Sequence, residues 1–295
     1  MWRSGMGAGI LATALTAGCA DGTSTEGAPP PAATASPAPR ASAGAGLSVQ
    51  DVDVEVRDDL QRVFAAAGVV GTFVLLDAEE RRLTVVDRVR AETPAVPAST
   101  FKIPYSLIAL ETGAVRDVDE VVPYGGRPQP FPQWERDMSM REALPASNAA
   151  IFQELARRIG LQQEQAWLDR LDYGNKRIGS AVDRFWLDGP LKISPVEQTF
   201  FLHRFASGAL PVADAHLDAV TDLLAVPGER SAALFGKTGL IFQSNPQLGW
   251  WVGWVKQPAG RLYTFALTMD IDEDSEAGQR IPLGQHLLRE LGALP

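Results

Sequence analysis

Two hairpin patterns at opposite ends of the chain most constrain how it can fold. Near the start, "VGTFVLLD" and "RRLTVVD" are β-rich runs separated by a polar "AEE", and near the end "LGWWVGWVKQPAGRLYTFALTMDID" places two apolar runs around a Pro-Ala-Gly turn. The stretch between them, from roughly Ser99 to Ser207, is helical in pattern and rich in loops. Strands this far apart in sequence are expected to meet in one antiparallel sheet built from both chain ends. An α+β fold follows, with helices flanking the sheet, an all-helical subdomain beside it and the ligand cleft between the two.

Helices are expected at both borders of this plan. In "VQDVDVEVRDDLQRVFAAAG", Leu60, Val63, Phe64 and Ala67 share a helical face that ends at Gly68, so one helix opens the folded part. "PLGQHLLREL" reads as the terminal helix. With 295 residues, 45% of them hydrophobic, the chain can bury a large core as one domain over 48–295. A net charge of -9, with no basic run, argues against a nucleic-acid partner.

The N-terminal region is different. Residues 1–18 hold one Arg and a short apolar stretch, and Cys19 follows. That stretch is shorter than the roughly 20 residues of a membrane span. The pattern resembles a bacterial lipoprotein signal with Cys19 as the lipidated residue, although Thr16 stands where such signals more often carry Leu; an ordinary secretion signal is the alternative. Export to the periplasmic or outer face of the membrane follows in either case. Residues 19–47 are nearly all Ala, Pro, Ser, Thr and Gly, a composition suited to a flexible tether. Because Cys19 is the single cysteine, neither a disulfide nor thiol chemistry is expected in the folded part. Three scattered histidines, His203, His216 and His286, lack metal-ligand spacing, so no metal is expected.

The chemistry begins at "PASTFKIPYSLIALETG". Ser99 and Lys102 lie three residues apart, on one face of a helix that Pro97 helps to start, and no other lysine of the chain has a serine three residues before it. Alone, the pair reads equally as a helix cap and a solvated amine. Two further motifs follow in order: Ser147 in "LPASNAA", and Lys237-Thr238-Gly239 in "FGKTGL", set on a strand ahead of the last hairpin. The order S-x-x-K, S-x-x, K-T-G resembles the signature of serine β-lactamases and penicillin-binding proteins.

Within that superfamily the chain resembles the class D β-lactamases, the oxacillinase group. "QWERDMSMREAL", "FQELARRIG", "DYGN", "FWLDGPLKIS", "EQTFFL" and "GWWVGWV" recur in the family's order from about Gly68 to Ile281. The resemblance implies that Ser99 is acylated by a β-lactam and that Lys102 carries CO2 as a carbamate (N6-carboxylysine), a base for acylation and deacylation without a further cofactor. It implies that Ser147 relays a proton beside Lys237, that Thr238 and Arg280 bind the substrate carboxylate, and that the backbone N–H groups of Ser99 and Leu240, next to Gly239, form the oxyanion hole. Trp186 is implied as a hydrogen-bond donor to the carbamate. The chain departs from the family at Ala149, where Val is usual, so a smaller wall around Lys102 is expected. "DYGN" is read as a structural turn. A penicillin-binding carboxypeptidase or transpeptidase, or a non-hydrolytic β-lactam sensor, remains open on the same motifs. A sensor would normally add membrane helices and an output domain.

Overall fold

The computed structural model describes residues 47–228 and 232–295. The segments read as signal and tether, with Cys19, lie outside the described residues. The sheet carries β1 (Asp53–Val56), β2 (Gly71–Asp77), β3 (Arg82–Val86), β4 (Ala233–Ile241), β5 (Gln247–Lys256) and β6 (Leu262–Ile271), in the spatial order β1-β3-β2-β6-β5-β4. Both hairpins form as read, and they join through the antiparallel β2–β6 pair, which brings Gly71 opposite Met269. Chain ends more than 180 residues apart thus share one sheet.

The opening segment differs from its expected form. A helix does end just before Gly68, as α1 (Gln61–Ala66), but the residues ahead of it form β1, which runs parallel to β3. The sheet is therefore mixed rather than purely antiparallel. All four residues of β1 are exposed, so this short edge strand has no buried face to leave an apolar alternation in the sequence.

Each face of the sheet is covered. Trp250, Val252 and Trp254 of β5 point into the large core shared with the helical region, while the alternate Trp251 and Val255 pack with Phe265, Leu267 and Met269 against α1 and the terminal helix α9 (Arg280–Glu290). "GWWVGWV" is apolar at successive positions because both of its faces are buried. Gly253 lies so close to β4 that an added Cβ would sit 1.9 Å from the Phe235 carbonyl oxygen. The helical region comprises α2 (Arg88–Glu92), α3 (Lys102–Glu111), α4 (Met140–Ala143), α5 (Ala149–Ile159), α6 (Leu161–Leu171), α7 (Pro195–Ala206) and α8 (Asp214–Leu223). Of these, α7 lies across the sheet, and the Thr264 hydroxyl of β6 donates to the Thr199 carbonyl at 2.9 Å. The short 3-10 turn Ala98–Phe101 that leads into α3 sits against the outer strand β4, which places the first motif beside the third.

Candidate active site

Ser99 stands in a 3-10 turn, Ala98–Phe101, that runs directly into α3. The turn is held from several sides. Thr100 Oγ1 donates to the Pro97 carbonyl at 2.7 Å and accepts from Gln198 Nε2 at 3.0 Å, while Trp250 Nε1 donates to the Val96 carbonyl at 3.0 Å. Ala98 has φ 48, a left-handed conformation that a non-glycine residue keeps only where its surroundings fix it. The packing of α3, α7 and β5 thus predetermines the orientation of Ser99.

Lys102 is fully buried, and its Nζ donates to Ser99 Oγ at 3.0 Å. The Phe152 ring of α5 lies 5.2 Å from Nζ. Burial, with the charge of Lys237 as a second cause, holds this amine well below the ordinary lysine range. A neutral amine in hydrogen-bond contact with a hydroxyl can act as a base, and it can also add to CO2.

The second lysine lies near enough to the first for its charge to act on it. Lys237 is 4% exposed on β4; its Nζ donates to Ser147 Oγ in a short contact and to the Thr238 carbonyl at 2.9 Å. Burial, then the charge of Arg280, lowers it to about 7. Ser147 takes φ 52 and meets Lys237, so it does not cap the helix that follows; Asn148 does, accepting from the Ala150 N–H at 2.9 Å. That helix begins at Ala149, which is half-buried at its first position. Asn148 also donates to the Trp134 carbonyl at 3.2 Å, joining this loop to the cleft rim.

Gly239 permits the close approach of β4 to the serine turn: a Cβ there would meet the Pro97 carbonyl oxygen and Thr100 Cγ2 at 3.1 Å. Arg280 reaches the same strand from α9. Its guanidinium donates to the Gly239 carbonyl at 2.5 Å and to the Ala277 carbonyl at 2.6 Å. Thr238 and Leu240, on either side of Gly239, are half-buried. The structure thus brings Lys237, Thr238, Gly239, Leu240 and Arg280 together at one end of β4.

Trp186 is fully buried in an aromatic group with Phe101, Tyr105 and Phe185, its ring 5.0 Å from that of Tyr105. Its indole Nε1 has no hydrogen-bond partner. A buried N–H left unpaired is costly and calls for an acceptor. The "DYGN" segment is a structural turn, as read: the Asn175 side chain donates to the Pro190 carbonyl and accepts from the Lys192 N–H, at 2.9 and 3.0 Å. Sequence reasoning missed Phe152, whose signal is its place one helical turn beyond Ala149. It also missed the buried pair of Tyr105 and Glu164, which are 59 residues apart and belong to no common motif.

Comparisons with known proteins agree with this geometry. A family model for the penicillin binding protein transpeptidase domain matches residues 71–285. Beta-lactamase OXA-5 of Pseudomonas aeruginosa is 36% identical over 234 residues, spanning 78% of this chain and 87% of that protein. Beta-lactamase OXA-2 of Salmonella typhimurium is 34% identical over 242 residues, spanning 81% and 86%. Among solved structures, the class D β-lactamase YbXI from Nostoc superposes with a TM-score of 0.76 at 35% identity, over 79% of this chain and 98% of its own. FUS-1 (OXA-85), a class D β-lactamase from Fusobacterium nucleatum subsp. polymorphum, gives 0.77 at 32%, over 82% and 100%. With a matching sheet, matching helices and the serine–lysine pair in place, the chain belongs to the class D β-lactamases.

Proposed function

We propose that this protein hydrolyses β-lactam antibiotics through an acyl-enzyme on Ser99, with Lys102 in its carbamylated form. The observation that carries the reading is Lys102 itself, fully buried, 3.0 Å from Ser99 Oγ, with burial holding its amine well below the ordinary lysine range. The unpaired Trp186 N–H supports the modification, since a buried donor beside this aromatic group suits a carboxylate-like acceptor. Bound there, CO2 would supply a carboxylate-like base in place of an amine.

Ser99 Oγ attacks the lactam carbonyl, its proton is taken on the Lys102 side, and the carbonyl oxygen is stabilised by the backbone N–H groups of Ser99 and Leu240. Opening the ring breaks the C–N bond, and Ser147, hydrogen-bonded to Lys237, hands a proton to the departing nitrogen. Lys237 near pKa 7 is suited to restore that proton at neutral pH. Thr238 and Arg280 hold the substrate carboxylate, and Gly239 keeps β4 close enough for both ends of the substrate to be bound at once. Water then hydrolyses the ester on Ser99.

Turnover tests the reading against its two rivals. The purified 48–295 domain, given a chromogenic penicillin or cephalosporin, is expected to turn over many times and to gain activity with bicarbonate. One equivalent of acylation without turnover would overturn hydrolysis in favour of a penicillin-binding or sensor role. From the N-terminal sequence we also propose export with a lipid anchor on Cys19. Cys19→Ala should then release the protein from the membrane fraction of expressing cells, and unchanged fractionation would refute the anchor.

A further inference from the structure

A buried polar pair, Tyr105 and Glu164, lies one helical turn beyond Lys102, and no role in the chemistry above uses it. Tyr105 is one helical turn beyond Lys102 on α3, so Ser99, Lys102 and Tyr105 fall in line at intervals of three. Its hydroxyl donates to Glu164 Oε1 in a short hydrogen bond, and both residues are fully buried. Glu164 occupies one position of the inward stripe of α6, with Trp167, Leu168 and Leu171 at the others. A leucine would fill such a position without the cost of burying a carboxyl group.

Burial raises Glu164 to about 8 and Tyr105 well above its usual value, so near neutrality both are held largely uncharged. Glu164 Oε2 has no partner, which leaves Tyr105 as the group the carboxyl engages. The Tyr105 ring connects Phe152, the ring beside Lys102, with Trp186, whose N–H is unpaired. One side meets Trp186 at 5.0 Å, and another meets Phe152 at 6.1 Å, the ring that lies 5.2 Å from Lys102 Nζ. An aromatic ring held only by packing can slide or tilt; one tied at its hydroxyl to a second helix cannot do so without breaking the bond.

We propose that Tyr105 and Glu164 are a positioning pair for the carbamate of Lys102, fixing the Phe152 and Trp186 walls between which the modified lysine is held. The inference rests on the carbamate reading above. The pair touches neither substrate nor the reacting atoms, so its effect is on how tightly CO2 is retained and not on the chemistry once the group is present.

The test titrates carbamate occupancy with 13C-labelled bicarbonate, reading the carbamate carbon by NMR, beside the bicarbonate dependence of turnover and the melting temperature. Tyr105→Phe keeps the ring and removes the bond; the double variant Tyr105→Phe/Glu164→Leu removes the bond without stranding a buried carboxyl. Both are expected to need roughly ten-fold more bicarbonate for half occupancy, the usual scale for outer support of a bound group. Saturating bicarbonate is expected to restore kcat close to the wild-type value. Glu164→Gln, which retains an acceptor for the Tyr105 hydroxyl, should recover most of the occupancy lost in Glu164→Leu. If the wild type shows the carbamate and the folded double variant has the same bicarbonate midpoint, the positioning role is wrong. If the wild type shows no carbamate at any bicarbonate concentration, the carbamate reading fails and this role fails with it.

Discussion

Lys102 and Lys237 are both buried, both bonded to a serine hydroxyl, and both stripped of their ordinary affinity for a proton. Their surroundings nevertheless separate them. Lys102 opens a helix in an aromatic pocket, with Phe152 over its Nζ and Ser99 as its bonded partner, while Lys237 lies on an outer strand where a backbone carbonyl also accepts from it and Arg280 stands close by. Desolvation alone would make two similar amines. A carbonyl partner favours the ammonium form on β4, which suits the proton relay proposed there, and burial in the aromatic pocket favours the free amine on α3, which suits the proposed carbamate.

The comparison breaks most sharply under alanine. Lys102→Ala is expected to lower kcat by on the order of 10³-fold or more, because it would remove the base proposed for both half-reactions. Lys237→Ala should cost about 10²-fold, the scale of losing one positioned charge or donor. The stages affected should differ too: stopped-flow with a chromogenic substrate should show a stalled acyl-enzyme in the first variant and slow acylation in the second. Equal losses at the same stage would mean that the two amines share one role.

Trp186→Phe comes next, with an expected loss of about 10-fold in kcat at ambient CO2, in line with deletion of one outer hydrogen-bond donor. An aromatic ring is kept while the N–H is lost, so bicarbonate should restore most of the activity. A loss that bicarbonate does not touch would make Trp186 a packing residue only.

These residues differ in how far the sequence reveals them. Ser99, Lys102, Lys237 and Ser147 sit in short motifs whose spacing is itself the geometry, and the hairpins declare themselves by their apolar runs and turns. The buried polar partners do not. Tyr105 and Glu164 meet only because α6 packs beside α3, and a glutamate in a helix reads as solvent-facing unless the stripe around it is known to be buried. Asn148, and not Ser147, caps α5, because the left-handed turn at Ser147 directs its hydroxyl to β4. β1 stayed hidden for the opposite reason: exposed on both faces, it is defined by its pairing with β3 and not by a pattern of its own.

Ala149→Val sharpens the contrast between the two lysine pockets at smaller scale. Added methyl groups at the first turn of α5 should exclude water near Lys102 and leave the Lys237 side unaltered. The bicarbonate concentration for half-maximal carbamate should fall by about four-fold, equivalent to one methylene removed from water at about 0.8 kcal/mol. An unchanged midpoint would show that Ala149 does not limit carbamate retention.

The remaining expected effect is on stability, and it sets Lys237 against Glu164. Lys237 is lowered from 10.5 to about 7 in the folded protein, so between those values the unfolded chain binds a proton that the native one does not. Its contribution to stability is therefore fully present above pH 10.5 and is lost as pH falls through about 7. Glu164 is raised from 4.5 to about 8, so its contribution is fully present below pH 4.5 and is lost as pH rises through about 8. Melting curves recorded against pH should separate the two. The wild type's Tm advantage over Lys237→Met should grow on going from pH 7 to pH 10, whereas its advantage over Glu164→Gln should shrink between pH 5 and pH 8. For a domain of this size each kcal/mol moves Tm by about 2–4 °C, so the slopes are measurable by calorimetry. Curves that stay parallel to the wild type would mean that the buried groups keep their ordinary proton affinity, and with Lys237 would fall the explanation of how a strand lysine can exchange a proton with Ser147 near neutral pH.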